Sequence, residues 1–400
     1  MKTFIKRWLL LIFLPCCYGF GLVTIQGGGV TANPFDTWGR SCKLTIQNSE
    51  VPGNLAYFPV LLTLDTLPSE MFDADGSYPA LNGGGDIRFS SDADGLSRLA
   101  CEVVTFTIDN DPANGAAEIY VKVPYISSST NTDIYVWYNK TGESQPSESE
   151  SYGKHDVWDN DFNLVQHMSQ DPSGSSPQMI DSTDNSNDGD SEGTMTSGDL
   201  VVGKIGNGID FDGTDDNINL GDSSSLTFGD GTDDSSFTIS AFLKPASIPE
   251  WGGVVCKSDG SYNTGEYQIV LHDDPSGSIA VRTVDESTNA ILTKTTSSGH
   301  VSAGNWLHIT TTYDGSGTNG FLIYADGSSV AFGDTSSGSY TAMENTTKEA
   351  TIGSRDSERF FPGVIDEVRV SGVARSADWI EAEYNNQDSP STFIIEGTPN

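Results

Sequence analysis

The sequence predicts an all-β protein made of two β-sandwich domains. Three observations predict it. Short runs of alternating apolar and polar residues recur closely along the chain; Gly, Ser, Thr, Asp and Asn fill the stretches between them; and long helical periodicity is scarce. With 400 residues, each of two domains is large enough to bury a core of its own.

The first 19 residues read as a secretory signal. Lys2, Lys6 and Arg7 form a basic start, and Trp8 to Leu14 an apolar run. Cys17 and Gly19 are small residues placed for cleavage before Phe20. The run is too short to span a bilayer, and no later segment is long and apolar enough. A secreted or cell-surface protein is expected.

A Gly-rich arm, 20–35, leads into the first domain, 36–150. Strand-like runs lie at 42–47, 58–64, 86–91, 101–108, 118–126 and 133–139. In the fifth, Ile119, Val121 and Val123 point one way, and Tyr120 and Lys122 the other. Asp-, Asn-, Gly- and Pro-bearing turns such as Asp109 to Gly115 separate them. Residues 141–151 are polar, acidic and without periodicity, which marks a linker.

The second domain, 156–397, opens at 162–168. The Asp-, Ser-, Gly- and Asn-rich stretch 169–200 is predicted to be one long loop. Strands follow at 208–212, 216–220, 236–244, 253–257, 266–272, 278–284, 290–295, 305–313, 320–326, 349–353, 363–370 and 392–396. That many strands in one domain suggests two stacked sheets, a jelly roll. The one predicted helix runs from Ser376 to about Asn385, with Ser376 as N-cap and Asp378 in the first turn.

The segment 363–370 carries the most informative residue. Val364, Asp366, Val368 and Val370 share one side-chain parity, so Asp366 is expected on the apolar face. A buried carboxylate needs a partner: a cation, an Arg or backbone N–H groups.

Charge and cysteine content exclude several classes. The formal net charge of −36 disfavours nucleic acid and anionic membranes as partners. Cys42, Cys101 and Cys256 remain after cleavage, an odd number that argues against a disulfide scaffold. Cys42 and Cys101, in strands of one domain, can pair; Cys256 is then a small apolar core residue.

Several motifs of the second region, in order, resemble the laminin-G-like jelly roll of the concanavalin A-like lectin/glucanase superfamily. They are MIDSTDNSNDG (179–189), GKIGNGIDFDGTDDNINLG (203–221), SFTISAFLKP (236–245), NWLHITTTYDG (305–315), LIYADG (322–327) and GVIDEVRVSGVARSADWIEAEY (363–384). The first region is similar to an uncharacterised β domain of exported proteins, including a biogenesis protein of a mannose-sensitive haemagglutinin (MSHA) pilus. That likeness rests on NLAYFPVLLTL (54–64), GGDIRFSSDADG (84–95), EIYVKVPYIS (118–127) and TDIYVWYNK (132–140). The superfamily resemblance implies a structural calcium ion with Asp366 as ligand. Asp212, Gly213 and Asp215 of the FDGTDD turn are the expected second contributors, since hard cations take oxygen ligands.

No catalytic motif is present. The glucanase pattern of Glu, Asp and Glu at alternate strand positions is missing, because Val364 stands where a Glu is needed. There is no nucleophile elbow, zinc helix or phosphate loop. Asp73 to Gly76, Asp92 to Gly95 and Asp109 to Asp111 read as Asx turns, and His167 and His308 as packing residues. Sugar recognition uses aromatic faces, and two aromatics lie in loops: Trp251 in SIPEWGG and Tyr262 in SDGSYNTG. These are the candidate ligand contacts. The sequence reading is a non-catalytic exported protein that binds carbohydrate or another cell-surface ligand, with adhesion as the expected context. The alternatives are a structural spacer and a polysaccharide hydrolase.

Overall fold

The computed structural model describes residues 33–260, 263–355 and 359–400. The predicted signal segment lies outside the described residues. No helix among the described residues is long and apolar enough to cross a membrane.

The fold is all-β. The first domain packs a five-stranded antiparallel sheet against a three-stranded one. The smaller sheet holds Leu55–Thr63, Ala116–Ile126 and Cys101–Thr107 in that order. Ile119, Val121 and Val123 enter the first core, as their parity predicts. Cys42 and Cys101 are separate buried thiols on different sheets, so the pairing allowed by the sequence is not formed.

The jelly roll consists of two eight-stranded antiparallel sheets. Its first sheet centres on Pro362–Ser371, flanked on one edge by Phe237–Pro245. The other edge is shared by Asn207–Asp212 and Phe162–Gln166. The second sheet runs from Phe332–Asp334 through Tyr267–Asp273 to Asn217–Gly221 and Asp190–Glu192. Ile209, Phe237, Ile269, Ile352 and Val370 meet between the sheets in the second core. The predicted long loop 169–200 is interrupted, because Asp190–Glu192 forms the edge strand of this sheet.

The parity expected for Asp366 is broken by a β-bulge. Asp366 pairs with Phe242 and Arg369 with Ser240, so Glu367 and Val368 together oppose one residue, Ala241. Glu367 has a left-handed φ of 51°. Ile365, Val368 and Val370 therefore enter the jelly-roll core. Asp366, Glu367 and Arg369 all face away from it. Asp366 is still fully buried, because the first domain covers that outer face. Trp158, Phe162, Ile205, Phe242 and Trp379 belong to one apolar cluster with the first domain's core.

The C-terminus ties the two domains together. Ser376 caps the helix Ala377–Asp388, its Oγ accepting the Trp379 N–H at 3.2 Å. Asn386 then bonds both backbone groups of Leu61 in the first domain, at 2.7 and 3.1 Å. The final strand, Ile394–Glu396, was read as the end of the jelly roll. It instead pairs with Arg40–Ile46 and forms an edge of the first domain's sheet.

His308 is packed between Phe242 and Tyr384, with ring centres 4.6 and 5.9 Å away. Burial, helped by the Arg369 charge, pushes its imidazole down to about 3. An unfolded histidine titrates near 6.5, so the unfolded chain takes the proton first as pH falls. This contribution is complete above about pH 6.5 and is lost as pH falls towards about 3. Urea midpoints should fall less steeply over that window in His308→Gln than in the parent. Parallel slopes would defeat this account.

Candidate functional site

The first domain and the helix cover much of the outer face of the first jelly-roll sheet, and on the outer side of the second sheet the edge strands Asn217–Gly221 and Asp190–Glu192 border an open groove. In Asn217–Gly221, Ile218 and Leu220 point into the core. Asn217 and Asn219 therefore point outward. Thr351, which pairs with Asn219, and Glu192, which pairs with Asn217, lie on the same face. Together with Ser258, Asp259, Lys348, Glu349 and Phe360, these side chains line a groove of about 450 Å³.

The groove's polar groups are held in place. The Asn219 amide nitrogen donates to Glu192 Oε1 at 3.1 Å and to Glu349 Oε2 at 2.8 Å. Its oxygen accepts the Gly221 N–H at 2.8 Å, which fixes the amide's orientation. Lys348 pairs with Asp259, and that contact raises its ammonium above the usual value. The groove offers a planar amide, carboxylates, an ammonium and one aromatic rim. The sequence reading missed these residues. The signal available for them was the outward alternation of Asn217 and Asn219 around Ile218.

The predicted site residues fall in different places. Trp251, with φ 62°, lies over the central strands of the same sheet, packed on Cys256, Val270 and Ala280. It is half-buried, with His272 edge-on at 3.9 Å and the Arg282 and Arg355 guanidiniums 5.5 and 5.8 Å from its ring. Its ring is thus already engaged by side chains of the protein. Tyr262 lies outside the described residues.

Asp366 is not brought to the other three residues expected to share a calcium ion with it. Asp366 Oδ2 accepts the N–H groups of Lys204 and Ile205, at 2.8 and 2.9 Å. Burial and the Glu367 charge raise its carboxyl well above the ordinary value, against the pull of those N–H groups. Asp212 pairs with Pro362, four positions before Asp366 along the strand, or about 13 Å at the usual rise. One ion cannot bridge that span, so the implied four-residue set does not fit as one calcium site. Within the turn, Asp212, Asp215 and Asp216 keep carboxylate oxygens within 4.8 Å of one another. Asp212 Oδ1 there accepts the N–H groups of Thr214 and Asp215 as an Asx turn. Gly213, with φ 73°, allows that turn against Pro362.

Comparison with known proteins agrees with this architecture. Residues 212–381 match the concanavalin A-like lectin/glucanases superfamily. Residues 83–163 match a family described only as a domain of unknown function, and the likeness to pilus biogenesis proteins stays an expectation. No curated protein matches the chain. The binding domain of Paraclostridial Mosquitocidal Protein 1 is similar at 15% identity and a TM-score of 0.42, over 56% of this chain and 52% of that one. The chain thus spans about half the length of that toxin domain. Domain 4 of AbnA, an extracellular arabinanase from Geobacillus stearothermophilus solved with arabinotriose, shares 17% identity at a TM-score of 0.40, over 56% and 98%. The sialyllactose-bound CBM40 of the Ruminococcus gnavus IT-sialidase shares 13% at 0.35, over 44% and 96%.

Proposed function

We propose that this is an exported, non-catalytic binding protein whose jelly roll holds a neutral carbohydrate in the groove around Asn219. The observation that carries this reading is the row of outward Asn217, Asn219, Thr351 and Glu192 side chains beside the aromatic Phe360. The Glu192 and Glu349 carboxylates, held in place by the Asn219 amide between them, suit vicinal sugar hydroxyls. The carboxylates and the chain's net charge of −36 oppose acidic sugars. Export rests on residues 1–19 of the sequence alone.

A glycan array of neutral plant and microbial polysaccharides, followed by calorimetry, tests the reading. Asn219→Ala should weaken binding about tenfold or more, a loss of about 1.4 kcal/mol, with its circular dichroism unchanged. Trp251→Ala should matter less, because its ring is already occupied. A parent protein that binds no glycan on the array favours the structural-spacer reading instead.

A hydrolase is the second reading. It is favoured by Glu192 and Glu349, which both accept from one Asn219 nitrogen and so stand close enough for paired-carboxylate chemistry. Release of reducing sugar by the parent, abolished in Glu349→Gln, would establish it.

A further inference from the structure

The contact between the domains encloses an unusual set of side chains. His167 follows the strand Phe162–Gln166, Glu367 sits on the bulge of Pro362–Ser371, and Glu118 comes from Ala116–Ile126 of the first domain. All three are buried, and their ligand-type atoms lie within 4.8 Å of one another. His167 Nδ1 is 2.6 Å from Glu367 Oε1 and 3.5 Å from Glu118 Oε1. We propose that Glu118, His167 and Glu367 form a transition-metal site, filled by Zn2+, that staples the first domain to the jelly roll.

The surroundings dictate which imidazole nitrogen is free. His167 Nε2 lies 3.2 Å from Glu102 Oε2. Glu102 is anchored by Trp158 Nε1 at 2.5 Å and Ser182 Oγ at 2.6 Å. A carboxylate held in this way accepts a hydrogen bond from the Nε2–H and turns the Nδ1 lone pair towards the other two carboxylates. Carboxylate–histidine pairs orient metal ligands in the same way. Arg369 binds the far oxygen of Glu367 at 2.6 Å and leaves Oε1 for the ion.

A second observation motivates the ion. A proton on Nδ1 serves Glu367, but Glu118 is 1% exposed and both its oxygens lack a hydrogen-bond donor. An unpaired buried carboxylate is costly. An ion bound to all three groups satisfies each of them. Ligand atoms about 2 Å from a common zinc stand about 3–4 Å apart, so the observed spacings need only a small adjustment. Mixed imidazole and carboxylate donors select zinc over calcium.

The loop 203–206 roofs the site. A side chain on Gly206 would bring its Cβ within 2.6 Å of Glu118 Oε2. A cleft of about 350 Å³, lined in part by Ala117, Ile205, Gly206 and Gln387, opens on the outer side of this loop.

The test uses the full chain, purified without chelator and supplied with ZnCl2. Mass spectrometry should find about one equivalent of zinc in the parent. Glu118→Gln and His167→Gln should lose it, and Glu102→Gln should weaken zinc affinity about 10- to 100-fold. Stripped parent should gain Tm on zinc addition, and Glu118→Gln should not. Should the variants fail to fold, the parent alone still decides. X-ray absorption with one imidazole and oxygen donors supports the site; absence of zinc, with His167 protonated on both nitrogens by NMR, overturns it. Zinc retained in folded Glu118→Gln overturns it equally.

Discussion

Arg369→Met is expected to destabilise the protein by about 3–5 kcal/mol, the usual cost of removing one partner from a buried ion pair. Arg369 is 3% exposed and lies 5.0 Å from the ring centres of both Tyr120 and Trp158. Its Nη2 reaches Glu367 at 2.6 Å and its Nη1 reaches Glu383 at 3.0 Å. The methionine fills much of the volume but leaves two buried carboxylates without their cation. Burial alone would raise Glu367; in the ion-free protein, protonated His167 and Arg369 hold it well below the usual carboxylate range. Urea unfolding measures the loss, and Glu383→Gln added to the variant should restore part of it. A loss under about 1 kcal/mol would mean that water reaches the pair.

Removing residues 389–400 should destabilise the first domain, although those residues follow the jelly roll in sequence. The deletion takes away Phe393 and Ile394, both buried in the first domain's core. A large buried side chain of this kind contributes about 3–5 kcal/mol. It also removes the ladder of Leu44, Thr45 and Ile46 with Glu396, Ile395 and Ile394. The bond from the Gln47 N–H to the Phe393 carbonyl at 2.9 Å goes with it. Hydrogen exchange should show new opening in Arg40–Ile46 while Tyr267–Asp273, at the centre of the jelly roll, stays protected. Unchanged protection in Arg40–Ile46 would show that the last strand is dispensable.

The fold class was legible because period-two alternation and polar turns are local signals. Ile119, Val121 and Val123 entered the core that their spacing predicts, and Ser376 capped the helix at the expected residue. The groove was half legible: Asn217 and Asn219 alternate with buried Ile218, but their partners Glu192, Lys348 and Phe360 come from distant segments. Asp366 was read as buried on the jelly-roll face. It is buried on the opposite face, because the bulge at Glu367 shifts the alternation by one residue.

The sequence by itself determined an antiparallel β architecture, its turns, the helix that Ser376 begins and a strongly acidic character. Each of these depends on residues within a few positions of one another. Tertiary structure alone decided that both faces of Pro362–Ser371 are covered, and that Glu118 meets His167 and Glu367 across the domain contact. It also decided that Ile394–Glu396 completes a sheet begun some 350 residues earlier. Such pairings arise from docking one apolar face against another, and nothing in the local spacing of side chains encodes which faces meet.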